Sequence, residues 1–69
     1  MNKTDIIELM ALAVEGRKVE DYNWTPSQFH DWCYNDPHGV RSFARSRKTA
    51  VAVYSALASA GITHQFTQD

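Results

Sequence analysis

The sequence lacks the cysteine pairs, the glycine- and proline-rich stretches and the excess of one charge that mark several classes of protein. Cys33 is the only cysteine among the 69 residues, so no disulfide can form within the chain. A lone cysteine without a recognisable signal peptide is typical of a reducing compartment, and we expect a cytoplasmic protein. With three glycines and two prolines, no linker or low-complexity tract is visible. We therefore expect a single helical domain over residues 1–69.

Charge and hydropathy argue against two further classes. Seven Lys and Arg residues face eight Asp and Glu residues, and the net charge of −1 lacks the strong basic excess of a dedicated nucleic-acid-binding protein. The apolar run near the N-terminus is interrupted by Asp5, Glu8 and Glu15. It is too short and too charged to span a bilayer, so we expect no membrane insertion.

Helix signals fill the sequence, and no alternating strand pattern accompanies them. Periodicity and capping residues predict three helices, at about residues 5–15, 26–35 and 37–60. The first should begin at the capping residue Asp5 and end at Gly16. A break of the third helix near Ser46, which can cap a second segment, stays open. The expected fold is an all-α three-helix domain in which the third helix is longest, the first is most buried, and residues 63–69 form a polar tail.

The start of the second helix carries the clearest local signal. Thr25 is a preferred N-cap residue, Pro26 at the next position loses no hydrogen bond, and Gln28 completes a capping box. Residues 36–37 repeat the cap-then-proline signal for the third helix, in which Gly39 is a weak point. Helical spacing predicts a core-facing stripe on the third helix, made of Val40, Phe43, Ala44, Arg47, Ala50, Val51, Tyr54, Leu57 and Ala58. We expect the arginine in this stripe to pair with an acid or to extend towards solvent.

The third helix also carries a cluster of positive charge in its N-terminal half. Arg41, Arg45 and Lys48 are spaced i, i+4 and i+7, so they project from one side of the helix. The helix dipole disfavours positive charge in this half, so the cluster needs acidic neighbours or an external anion. One interpretation is compensation across the fold by acidic residues of the first third, namely Glu15, Glu20 and Asp21. The other is a contact with phosphates or with an acidic protein surface.

Aromatic residues are concentrated between Tyr22 and Tyr34. They are too many for one face of a short helix to hide, so at least one of them should be exposed. Exposed Trp or Tyr beside Arg is the composition of protein–protein hot spots. We therefore predict a partner-binding surface in which charge complementarity comes from Arg41, Arg45 and Lys48, and an aromatic anchor comes from Trp24, Trp32 or Tyr34.

Residue types suited to catalysis or metal binding are present, but their patterns are not. His30, Cys33 and His38 have H-x2-C-x4-H spacing, which lacks the second cysteine pair of a structural zinc site. A Cys–His nucleophile pair has no oxyanion-hole motif beside it, and there is no glycine-rich phosphate loop. We expect a protein that is not an enzyme and that uses no metal and no cofactor.

The favoured hypothesis is a small intracellular regulator or inhibitor that docks on a protein and occludes or stabilises its surface. Its size is typical of proteins that phages and other mobile elements encode. The alternative is a helix-turn-helix-like nucleic-acid-binding protein that uses the basic face of the third helix, with Gly39 and Val40 as the turn; no basic wing follows that helix. A homodimer, through the apolar first helix or the Ala-rich face of the third, is a further hypothesis.

Overall fold

The computed structural model of the protein describes residues 1–62, which form three α-helices and no strand. The elements are α1 (Lys3–Lys18), a single-turn 3-10 helix (Glu20–Tyr22), α2 (Pro26–Tyr34) and α3 (Pro37–Ser59). The predicted all-α class and the three helices are confirmed, with α3 the longest. The predicted polar tail at residues 63–69 lies outside the described residues. Within the described part, no helix combines the length and the apolar character needed to cross a bilayer.

α1 extends beyond both of its predicted ends. Its N-cap is Asn2, whose Oδ1 accepts the backbone amide of Asp5 at 2.9 Å, so Asp5 lies inside the helix. Asn and Asp are about equally favoured as N-caps, and a local pattern does not separate them. Gly16 also lies inside α1, because the last turn is held by long-range contacts: the Nζ of Lys18 donates to the carbonyl oxygen of Ser42 at 3.3 Å.

The N-terminal caps of α2 and α3 are those that the sequence predicts. The Thr25 hydroxyl accepts the amide of Gln28 at 3.2 Å, and the Gln28 side chain accepts the amide of Thr25 at 2.8 Å, which completes the capping box. The carboxylate of Asp36 accepts the amides of His38 and Gly39. These caps satisfy amides that have no partner within the helix.

α3 is continuous, so the predicted break near Ser46 is wrong. Ser46 is fully buried, and its hydroxyl donates to Glu15 of α1 instead of capping a new segment. A serine inside a helix can be satisfied by a tertiary acceptor, which no local pattern reveals. The predicted end is confirmed, because Gly61 adopts a φ of 75° and its amide donates to the carbonyl of Ala58 at 3.0 Å.

α3 is the central element, and α1 lies antiparallel to it. Lys3, at the start of α1, approaches the ring of Tyr54, whereas Glu15, near the end of α1, bonds to Ser42. α2 packs on the N-terminal half of α3. The core consists of Ala11, Cys33, Phe43 and Ala50, with Ile7, Met10, Leu12, Phe29 and Trp32 around it. Nine of the 16 residues of α1 are buried or half-buried, compared with three of nine in α2 and eight of 23 in α3. The prediction that the first helix is most buried is therefore confirmed, although Leu9 of α1 is 53% exposed.

The predicted core stripe of α3 is only partly covered. Phe43, Ala50 and Tyr54 are buried as expected. Four other members of the stripe are exposed instead, namely Val40, Ala44, Val51 and Ala58. The physical reason is angular position, because at 100° per residue these four residues lie roughly 60–100° around α3 from Phe43. The two flanking helices cover only one side of α3, and this edge of the stripe lies outside it.

Candidate functional surface

A buried carboxylate joins the three helices. Glu15 of α1 has no exposed surface, and its oxygens accept hydrogen bonds from Trp32 Nε1 of α2 at 2.8 Å and from the hydroxyls of Ser42 and Ser46 of α3 at 2.8 and 2.6 Å. The Nζ of Lys18 lies 3.4 Å from the same carboxylate. Burial acts to raise the pKa of Glu15, but these donors and the lysine charge outweigh it and lower the pKa below its ordinary value.

A second carboxylate holds the predicted stripe arginine. The Nε and Nη2 of Arg47 donate to the two oxygens of Glu8 at 2.8 and 2.9 Å, and the hydroxyl of Tyr34 donates to Glu8 at 2.7 Å. The guanidinium also lies 4.3 Å from the ring centroid of Phe43. The hydrogen bond from Arg47 lowers the pKa of Glu8, against an opposing effect of burial. The predicted pairing of this arginine with an acid is confirmed.

These two carboxylates predict acid sensitivity. The pKa values of Glu8 and Glu15 are lower in the folded state than in the unfolded chain, so their contribution is fully present above the ordinary pKa of glutamate, near 4.5. It is lost as the pH falls through the folded-state values. Urea unfolding at a series of pH values should therefore show stability that is nearly constant from pH 7 to about 5 and falls below about 4.5. A stability that is unchanged at about pH 3 would contradict the role given to these groups.

The predicted aromatic anchors make contacts inside the fold. Trp24 stacks on Tyr22 with ring centroids 5.0 Å apart and contacts Trp32 at 5.4 Å. Trp32 donates to Glu15, and Tyr34 donates to Glu8 and meets the ring of Phe43 edge-on at 5.3 Å. Tyr22 and Tyr34 are 65% and 37% exposed, which confirms the prediction that at least one aromatic residue is exposed. The use of Trp24, Trp32 or Tyr34 as an anchor stays a prediction.

Among residues 1–62, the cysteine and histidine side chains do not form a cluster that could hold a metal ion. Cys33 is buried in the core, where burial and the neighbouring charge of Glu15 raise the pKa of the thiol to about 11. His30 is exposed and lies against the ring of Tyr34, and His38 is exposed near the start of α3. The thiolate, which is the form that acts as nucleophile or metal ligand, is therefore disfavoured at neutral pH.

Four of the seven basic residues have partners inside the fold. Arg17 pairs with Glu20, Lys18 with Glu15 and Arg47 with Glu8, while Lys3 lies over the ring of Tyr54. The other three form an exposed row along α3, here called the basic stripe, which consists of Arg41, Arg45 and Lys48. None of the three makes an ion pair with a residue in the range 1–62. Glu15 and Glu20 pair with Lys18 and Arg17 instead, so the predicted compensation of this cluster by Glu15, Glu20 and Asp21 does not take the form of ion pairs in the described part of the chain.

Exposed apolar residues that the sequence assigned to the core lie beside the basic stripe. Val40 and Val51 are 42% and 46% exposed, and Ala44 between them is also exposed. We call these three residues the valine stripe. With 100° per residue, the two stripes are separated by roughly a quarter of a turn around α3. Their position at the edge of the predicted core stripe was the one sequence signal that pointed to this exposure.

The predicted helix-turn-helix arrangement is not formed at the position expected. Gly39 and Val40 lie in the first turn of α3, so they do not form a turn between two helices. This observation concerns the turn and leaves the basic stripe in place on α3.

Comparison with models of protein families, with curated proteins and with solved structures found no match. The function is therefore inferred from the surface itself.

Proposed function

We propose that this protein is a non-enzymatic regulator or inhibitor that docks on a partner protein through the basic stripe and occludes or stabilises the surface that it covers. One observation carries the proposal, namely the separation of charge on the folded chain. The other basic residues make contacts within the fold, whereas Arg41, Arg45 and Lys48 lie together on one side of α3 and form no ion pair with a residue in the range 1–62.

The electrostatic consequence favours an acidic partner. Three like charges within two turns of a helix repel one another, and an acidic surface relieves that repulsion and also speeds the encounter. The stripe spans about 10 Å along the axis of α3, given a rise of about 1.5 Å per residue. A patch of this length matches a few carboxylates on a protein surface. Because the net charge is −1, the rest of the molecule does not attract anions indiscriminately.

Nucleic-acid binding is the second candidate, and the same stripe supports it. Arg and Lys contact phosphates regardless of base sequence, and the resulting affinity falls steeply as salt is raised. The near-neutral net charge makes this candidate the weaker one.

The first test removes the three charges of the basic stripe and compares the result with a control variant of the same net charge. We expect the triple variant Arg41→Gln, Arg45→Gln, Lys48→Gln to lose a captured protein partner with an affinity decrease of about 30- to 100-fold, because each exposed charge pair contributes up to about 1 kcal/mol. The matched control is Thr4→Glu, Ala13→Glu, Ser27→Glu, which changes the net charge by the same amount at exposed positions away from the stripe. The full-length chain serves as bait in a lysate of its source cells, and the affinity for the identified partner is then measured with purified proteins.

Two outcomes would overturn the proposal. Equal affinity losses in the triple variant and in the control would show a general charge effect in place of a docking surface. Binding of a random-sequence DNA duplex of about 20 base pairs at low salt, with no stripe-dependent protein partner, would establish the second candidate.

A further inference from the structure

We infer that the partner presents an acidic amphipathic helix, which lies along α3 with its apolar side on the valine stripe and its carboxylates on the basic stripe. The inference rests on the proposed function and specifies the chemistry of the segment that is bound. It adds Val40, Ala44 and Val51 to the surface, none of which the sequence pattern placed there.

The exposure of the two valines is the first observation. Val40 and Val51 are each more than two-fifths exposed, although the helix periodicity assigns them to the core. β-branched residues are weaker helix formers than Ala, Lys or Glu, so helix stability gives no reason for valine at a solvent-facing position. Covering both side chains removes apolar surface from water and contributes to binding.

The geometry of the two stripes is the second observation. The valine stripe runs from residue 40 to residue 51, which is about 16 Å or three turns of α3. An amphipathic helix presents apolar side chains over the same distance at spacings of three and four residues. Ala44 has a short side chain between the two valines, which allows a second helix to approach closely. Opposite charges that flank an apolar seam are the arrangement by which paired helices select their partners.

Charge complementarity favours an acidic amphipathic helix over a phosphate backbone or a second copy of this chain. The basic stripe runs parallel to the valine stripe along the same helix, so a bound helix with carboxylates on one flank satisfies both at once. A phosphate backbone would use the three basic residues and leave Val40 and Val51 in water. A second copy of this chain would bring a second row of Arg41, Arg45 and Lys48 to the same seam if the valine stripes paired with each other.

The test uses a synthetic helical peptide about three heptads long, with Leu along the seam and Glu on the flanks. We expect saturable binding by fluorescence anisotropy to the full-length chain, and no binding of the same peptide with Lys in place of Glu. The variant Val40→Ala, Val51→Ala should weaken binding about tenfold. The control is Val53→Ala, which removes the same side chain at a position that is 45% exposed on another side of α3 and should leave affinity unchanged.

The valine-to-alanine variants should fold, because alanine has a higher helix propensity than valine. Thermal unfolding should give them a melting temperature equal to that of the unmodified protein or higher. Absence of saturable binding by the Glu-flanked peptide overturns the inference, as does equal binding of the Lys-flanked peptide. If the captured partner is lost in the glutamine triple variant but retained in Val40→Ala, Val51→Ala, the docking function stands and the amphipathic helix is wrong. If neither variant lowers the affinity for the captured partner, both the docking function and the amphipathic helix are wrong. If the protein binds duplex DNA and the valine substitutions do not change that affinity, the bound partner is a phosphate backbone and the inferred helix is wrong.

Discussion

Replacement of Gly39 by alanine is expected to destabilise the domain strongly, whereas replacement of Gly16 is expected to stabilise it. A Cβ on Gly39 would overlap the backbone carbonyl of Trp32 and lie 2.7 Å from Cδ2 of its ring. Backbone is involved on both sides, so the clash is relieved only by moving α2 away from α3. We expect a loss of about 3 kcal/mol. A domain of this size has about 3 to 10 kcal/mol of stability, so a loss of this size removes at least about a third of it.

Gly16 is the matched control for this substitution. It also lies inside a helix, but a Cβ there would meet only the ring of Phe29, at an ordinary distance of 3.8 Å. Alanine in a helix is favoured over glycine, so Gly16→Ala should add about 0.5 to 1 kcal/mol. Urea unfolding followed by circular dichroism measures both variants, and the rate at which a thiol reagent modifies buried Cys33 reports opening of the core independently. Equal stabilities of the two variants would refute the close approach of α2 to Gly39.

The substitution Glu15→Gln is expected to destabilise the protein by about 3 kcal/mol. Glutamine keeps the shape of the side chain but replaces one acceptor oxygen with an NH2 group. That group cannot accept the bond from Trp32 Nε1 or from a serine hydroxyl, and the neutral amide no longer balances Lys18. A buried donor without an acceptor incurs its full desolvation penalty.

The control for this change is Glu20→Gln. Glu20 pairs with Arg17 on the surface, and an exposed pair of this kind contributes no more than about 1 kcal/mol. The comparison uses urea midpoints at pH 7 and again near pH 3, where protonation should remove much of the advantage of the glutamate over the glutamine. A Glu15→Gln variant as stable as Glu20→Gln at pH 7 would show that the buried network does not stabilise the fold.

Features that depend on a few adjacent residues were predictable from the sequence. The capping box at Thr25, the cap at Asp36 and the left-handed Gly61 are local arrangements whose energies come from neighbouring backbone groups. The all-α class follows from helix periodicity in the same way. The basic stripe was also readable, because positions i, i+4 and i+7 share one side of any helix.

Only the tertiary structure determined which residues each side of a helix contacts. From the sequence, Gly16 should end a helix and Gly39 should weaken one, yet Gly16 lies inside α1 and Gly39 packs against the backbone of Trp32 in α2. The sequence suggested Glu15 only as an acid that could compensate the basic cluster, yet it is buried, and three donors from two other helices converge on it. Such contacts join residues 17 to 31 positions apart, and no local pattern carries them. The same holds for the valine stripe, because its exposure depends on which side of α3 the two shorter helices cover.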